Sequence, residues 1–177
     1  MIDIQLENEA ELIKKAKIDV RSFIVLYKYY LPQIYKYAYY HVINKHEAED
    51  VVSQTFLQAM ENLDEYKYRG IPFGHWLYRI ASNIIYHSQK HKKNDLNTAD
   101  LVQVADVEIA IEDKLDLLML LRTLPDMQQQ ALILRYTQDL SIREVARIMD
   151  CSEGAVKQLS YRAIKTLRER MTGNEKD

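Results

Sequence analysis

A single cysteine, Cys151, stands in the 177 residues, so no disulfide can form within the chain, and a secreted, disulfide-stapled scaffold is excluded. Glycine and proline are nearly as scarce, at four and three. Collagen needs glycine at every third position, β-sandwiches need many tight turns, and phosphate-cradling loops need clustered glycines, so none of these fits. Turn residues this rare point to a mostly helical chain. No apolar run approaches the roughly 20 residues that a bilayer-spanning helix takes. The amino-terminal run MIDIQLENEAELIKK carries acids where a secretory signal has a basic start and an apolar core, so a cytoplasmic location is expected. With 47% hydrophobic and 28% charged residues, the chain can bury a core and does not read as disordered.

Net charge is also small, at -2, but it is unevenly spread. Residues 66–93 contain Lys67, Arg69, Arg79, Lys90, Lys92 and Lys93 and no acid. Residues 95–116 then carry seven acids against Lys114 alone. Residues 157–170 are basic again, with Lys157, Arg162, Lys165, Arg168 and Arg170 against Glu169. Two basic blocks separated by an acidic one imply two surfaces facing a polyanion.

Hydrophobic periodicity places helices almost throughout. Phe23, Leu26, Tyr27, Tyr30 and Ile34 recur at helical spacing, and Pro32 is expected to kink or end that helix. Ala48, Val52, Thr55, Phe56, Ala59 and Leu63 share one stripe of an amphipathic helix over 46–63. Gly70, Pro72 and Gly74 mark 64–74 as a loop, and a helix follows over 75–90. Residues 113–121 read as a helix, Pro125 introduces another, and Ser141 and Ser152 begin two more. The expected fold is all-α: two small helical domains, residues 1–93 and 113–177, joined by an acidic linker over 94–112. Seven tyrosines between positions 27 and 40 read as packing residues with their hydroxyls at the surface.

The stretch SIREVARIMDCSEGAVKQLSYRAIKTLRERM, residues 141–171, is the most specific segment. Ser141 with Glu144 is a capping box, in which each side chain satisfies a backbone N–H at a helix start. Ile142, Val145, Ala146 and Met149 make the buried face, Asp150 and Cys151 a short break, and Ser152 the next N-cap. Two helices so joined form a helix-turn-helix. On the second helix Val156, Leu159, Ala163 and Leu167 cluster on one side. Gly154, Gln158, Tyr161, Arg162 and Lys165 lie opposite, with Lys157 at the margin and Ser152 and Glu153 at the start. A recognition helix needs such a face, with N-terminal residues for base edges and cations for phosphates and guanine.

The helix over 75–90 also splits. Leu77, Ile80, Ala81, Ile84 and Ile85 make an apolar face, and Trp76, Arg79, Asn83, Tyr86, His87 and Lys90 make the other. Rings offer stacking platforms for unpaired bases, cations follow phosphates, and an amide can pair with a base edge. The preceding Tyr66, Lys67, Tyr68 and Arg69 repeat that chemistry, so a single-strand-binding face is expected. His87 and His91 have helical metal-pair spacing but no third ligand nearby, so no metal and no cofactor are expected. No nucleophile–base–acid spacing or phosphate loop stands out, so no enzyme is expected.

Two classes stand open: a factor that lends DNA recognition to a polymerase, which only a family resemblance implies, and a stand-alone helix-turn-helix regulator with an N-terminal sensor or dimerisation domain. An RNA-binding helical protein is a weaker third. The order of three motifs resembles the extracytoplasmic-function sigma factors of the sigma-70 family, over about residues 20–93 and 115–171. AEDVVSQTFLQAM at 48–60 is similar to the segment that grips the polymerase clamp helices, which implies contacts by Glu49, Asp50, Ser53, Gln54 and Leu57. WLYRIASNIIYHSQK at 76–90 resembles the minus-ten reader, and LPDMQQQALILRYTQDLSIREVARIMDCSEGAVKQLSYRAIKTLR at 124–168 the minus-35 reader. Ser53 stands where many members have Gln, His87 where Asp is common, Lys90 where Arg is common, and Ala155 and Leu159 where Thr and Arg are frequent. The resemblance implies core RNA polymerase and promoter DNA as partners, together with an anti-sigma protein of the kind that often holds members inactive.

Overall fold

The computed structural model describes residues 8–94 and 112–173. Among these, eight α-helices and one π-helical turn occur and no strand. They are α1 (Glu9–Ala16), α2 (Val20–Val42), α3 (Lys45–Glu61), α4 (Phe73–Asn94), α5 (Glu112–Arg122), α6 (Asp126–Leu132), α7 (Ile142–Met149) and α8 (Glu153–Gly173), with the π turn over Ile133–Thr137 after α6. The expected linker over 94–112 lies almost wholly outside the described residues.

Local chemistry explains most helix starts. Asn8, Asp19, Asn44, Ser141 and Ser152 each accept a backbone N–H from the first turn of the helix they precede. The Ser141–Glu144 capping box is reciprocal. Pro32 does not end its helix: α2 runs through it to Val42. Pro32 and Lys28, whose carbonyl loses its N–H partner, are both exposed, so water is at hand to replace that bond.

Helices α1 to α4 pack around Leu26, Ile34, Tyr37, Ala48, Ala59, Phe73, Leu77 and Ala81, all buried. This core continues into Ile133, Leu134, Val145, Ala146, Ile148 and Val156 of the second half. A smaller core joins Leu118, Leu121, Leu124, Leu132, Ala163 and Leu167, and Ile43 reaches it from the α2–α3 corner. Ile43 adopts a left-handed φ of 52°, a strained setting for a β-branched residue, and is 2% exposed. Its burial in the second half's core offsets that strain. The halves therefore touch, chiefly where α4 meets α7 and where α2 meets the π turn and α5.

The tyrosine-rich α2 departs from expectation at two rings. Tyr37 is fully buried, and its hydroxyl shares a 2.7 Å hydrogen bond with Ser82 Oγ, which Gln130 also reaches at 2.8 Å. Tyr30 is buried with its hydroxyl on Glu9. A buried phenol is stable only if its polar end finds a partner, and here both partners lie far away in sequence.

Candidate nucleic-acid interface

Helix α4 starts without a cap of its own. Ile71 and Pro72 precede it, and neither has a side-chain acceptor. Its first N–H groups need acceptors from elsewhere. Glu9 Oε1, from the first turn of α1, accepts the Phe73 N–H at 3.0 Å. The Tyr30 hydroxyl donates to the same carboxylate. Burial, and then Glu9, holds that phenol far above its ordinary pKa. A Cβ at Gly74 would lie 2.6 Å from a Tyr30 ring carbon, so any other residue there must displace that ring.

The loop before α4 is tied at its other end. Lys17 Nζ donates to the carbonyls of Asp64 at 2.9 Å and Tyr66 at 2.7 Å. Tyr66, Phe73 and Trp76 form a ring cluster, with centroids 4.6 Å apart for Tyr66–Trp76 and 5.3 Å for Phe73–Trp76. Trp76 is half-buried in that cluster, so it is both a packing residue and a wall. Between loop and helix lies an open cleft of about 800 Å³, lined by Tyr66, Lys67, Arg69, Trp76 and Arg79, with Arg147 from α7 at its rim. Tyr68 lies on the same loop and is exposed.

Further along α4, Asn83, Tyr86, His87 and Lys90 are exposed, and Leu77, Ala81, Ile84 and Ile85 are buried, with Ile80 half-buried. Arg79 differs from the expected free cation. Its Nε donates to the Ile148 carbonyl at 3.2 Å, and a terminal nitrogen donates to the Arg147 carbonyl. A guanidinium thus sits on the C-terminal end of α7, where the helix dipole is negative. Two neighbours on α4 also meet the second half: Tyr78 donates to Gln138 Oε1 at 3.1 Å, and His75 Nε2 lies 3.6 Å from Glu144 Oε1. Burial lowers the His75 pKa, opposed by Glu144.

The α8 face needs no such support. Val156, Ala163 and Leu167 are buried, and Leu159 is half-buried. Ser152, Glu153, Gly154, Lys157, Gln158, Tyr161, Arg162 and Lys165 are all exposed, Tyr161 at 70%. The exposed Lys165–Glu169 pair, at 3.8 Å, contributes little. Left-handed Asp150 turns the chain between α7 and α8. Burial, then Asp150, raises the Cys151 pKa, so the thiol is not activated.

A third face lies on α3. Glu49, Asp50, Ser53, Gln54 and Leu57 are all exposed, opposite buried Ala48, Val51, Val52, Thr55, Phe56 and Ala59. Leu57 is 51% exposed, and the apolar Met60 one turn further on is exposed too. Among the described residues no cluster of His, Cys, Asp and Glu could hold a metal. The side chain of His91 lies outside the described ones. No helix among the described residues is long and apolar enough to cross a membrane.

Sequence reasoning missed Glu9, Lys17 and Arg147. The one local signal was the uncapped start of α4, which calls for a distant acceptor without saying which.

Comparison with known proteins gives these faces a context. Residues 26–95 match the Sigma-70 region 2 model and residues 114–167 the Sigma-70 region 4 model. The chain is 36% identical to the ECF RNA polymerase sigma factor BldN of Streptomyces coelicolor, over 89% of this chain and 63% of that protein. It is 27% identical to the ECF RNA polymerase sigma factor SigW of Bacillus subtilis, over 96% of this chain and 98% of that one. The chain therefore spans less than two thirds of the first relative and nearly all of the second. The solved structure of the sigma factor RpoE with the anti-sigma factor NepR from Bartonella quintana superposes with a TM-score of 0.69 at 24% identity, covering 87% of this chain and 97% of that one. At that identity the likeness shows the fold alone.

Proposed function

Because the chain belongs to the extracytoplasmic-function sigma factors of the sigma-70 family, we propose that it binds core RNA polymerase in the cytoplasm and gives that enzyme its promoter choice. The division of labour follows the three faces. The exposed α3 residues Glu49, Asp50, Ser53, Gln54 and Leu57 dock on the polymerase. The cleft formed by the 66–69 loop and α4 takes unpaired bases of the minus-ten strand. The outer face of α8 enters the major groove of duplex DNA at the minus-35 element. Residues 1–93 and 113–177 work as two domains, and the acidic 94–112 stretch links them.

The ring-and-cation cleft beside α4 carries this reading. Splaying a base out of the stack costs a few kcal/mol, and stacking on an aromatic ring returns about 1–3 kcal/mol per base. Tyr66 and Trp76 supply the rings, and Lys67 and Arg69 neutralise the backbone. Asn83, Tyr86, His87 and Lys90 extend the track along the helix, and the 14 rises from Trp76 to Lys90 give about 21 Å. A stand-alone duplex-binding regulator has no use for that cleft. Arg79 is engaged by α7 here, so strand capture requires α7 to release it. An anti-sigma protein that keeps the two halves together would hold the factor inactive.

The test is to mix the purified protein with sigma-free core polymerase and transcribe a random promoter library. Co-elution and transcripts that depend on particular upstream sequences are expected. A protein that binds duplex DNA and never associates with core would overturn the reading in favour of a regulator.

A further inference from the structure

Helix α1 precedes the stretch that matches the region 2 model, yet a side chain at its start and one just past its end reach the two ends of the loop before α4. At the start of the loop, Lys17, just past the end of α1, donates to the carbonyls of Asp64 and Tyr66. At the finish, Glu9, the first residue of α1, accepts the Phe73 N–H and the Tyr30 hydroxyl. Between these anchors residues 67–71 are irregular, and 67–70 are exposed. The loop therefore hangs from two charged side chains, Lys17 just past the end of α1 and Glu9 at its start, 47 and 64 residues away in sequence. Ile13 and Ala16 bury α1 against the core, so the two charges are held on a fixed base.

The spacing has a chemical consequence. Tyr66 is at once the residue whose carbonyl Lys17 holds and the ring that faces Trp76 at 4.6 Å. Phe73, whose N–H Glu9 accepts, packs on both rings. A shift at either anchor moves a wall of the cleft. Hydrogen bonds to charged groups are the stronger kind, and a site held loosely by about 1 Å loses much of its discrimination. We propose that Glu9 and Lys17 are positioning residues for promoter reading: they set the pose of the 66–72 loop so that the cleft accepts one base in preference to others. This rests on the sigma-factor reading above.

The experiment uses full-length protein with core polymerase and single-stranded oligonucleotides: the minus-ten sequence that wild type selects from the library, and a scrambled version. The quantity read is the ratio of the two affinities. Glu9→Ala and Lys17→Met are each expected to reduce that ratio about tenfold while core affinity and upstream duplex binding stay at wild-type values. Glu9→Gln keeps an acceptor oxygen and Lys17→Arg keeps a donor, so both should restore the ratio to within about threefold of wild type. Ile13→Val loosens α1 without touching either anchor, and it should lower thermal stability with the ratio unchanged. A wild-type ratio in Glu9→Ala and Lys17→Met, or an equal loss in Ile13→Val at matched stability, overturns the positioning role. Wild type that binds no core and prefers neither strand overturns the sigma-factor reading itself, and this proposal with it.

Discussion

The two helices proposed to face DNA are built in opposite ways. Helix α8 makes its face alone: one helical period puts Val156, Ala163 and Leu167 inside and its basic and polar residues outside. Helix α4 makes its face with borrowed parts. Its start is capped from α1, its first turn closes around Tyr30 of α2, its loop hangs from Lys17, and Arg79 is turned onto α7. A face that one helix makes is ready whenever that helix folds. A face assembled from four segments depends on all of them, and on how the two halves sit.

The sharpest way to separate the two is to remove cations from α8. Arg162→Ala with Lys165→Ala should weaken upstream duplex binding about a hundredfold at moderate salt and make the salt slope shallower by about one unit per lost phosphate contact. Single-strand capture by holoenzyme should be unchanged. Titration of labelled duplex at several salt concentrations measures this, and an unchanged slope would mean that α8 presents another face to DNA.

Arg79→Ala probes the borrowed face. It removes two charge-assisted hydrogen bonds to α7, each contributing about 1.5–3 kcal/mol where desolvated and less at this exposed guanidinium. Amide exchange in α7 should speed up about tenfold while α1 to α3 keep their protection, and capture of the single strand should fall with the lost cation. Exchange that is unchanged in α7 would show that the Arg79 contact does not hold the halves together. Trp76→Ala should spare core binding and slow open-complex formation, by about tenfold for one lost stacked base. The ring also packs on Tyr66 and Phe73, so some thermal stability should go with it. Normal open complexes would make Trp76 a packing residue only.

This contrast decides what could be read from the chain. The α8 face, the Ser141–Glu144 box and the α3 stripe were legible because each is a local period or a local cap. The faces of α4 were legible for the same reason, down to Leu77, Ala81, Ile84 and Ile85. The role of Arg79 was not, because its partners are backbone carbonyls 68 and 69 residues away, and carbonyls carry no residue signature. Tyr30 and Tyr37 read as packing residues with surface hydroxyls because nothing near them in sequence announces Glu9 or Ser82. Pro32 read as a kink or an end, and the end does not occur, because the helix is packed on both sides of it by Leu26, Tyr30, Ile34 and Tyr37.

Two glycines give the finest test, since each lies in the first turn of a helix proposed to read DNA. At Gly74 an added Cβ meets the buried ring of Tyr30, which is tethered by its hydroxyl to Glu9 and cannot swing aside. Gly74→Ala should therefore cost about 1–2 kcal/mol of stability, the overpacking outweighing the better helix propensity of alanine. At Gly154 an added Cβ meets only Ser152 Oγ, at 3.8 Å, so nothing in the protein itself asks for glycine there. Gly154→Ala should raise stability by a few tenths to about 1 kcal/mol. If the start of α8 lies close to DNA, as a recognition helix does, the same methyl should weaken duplex binding severalfold. Urea denaturation of both variants reads the first effect, and duplex titration of Gly154→Ala reads the second. A Gly154→Ala protein that is more stable and binds duplex as wild type does would place the DNA backbone away from that turn and leave the contacts to Gln158, Tyr161, Arg162 and Lys165.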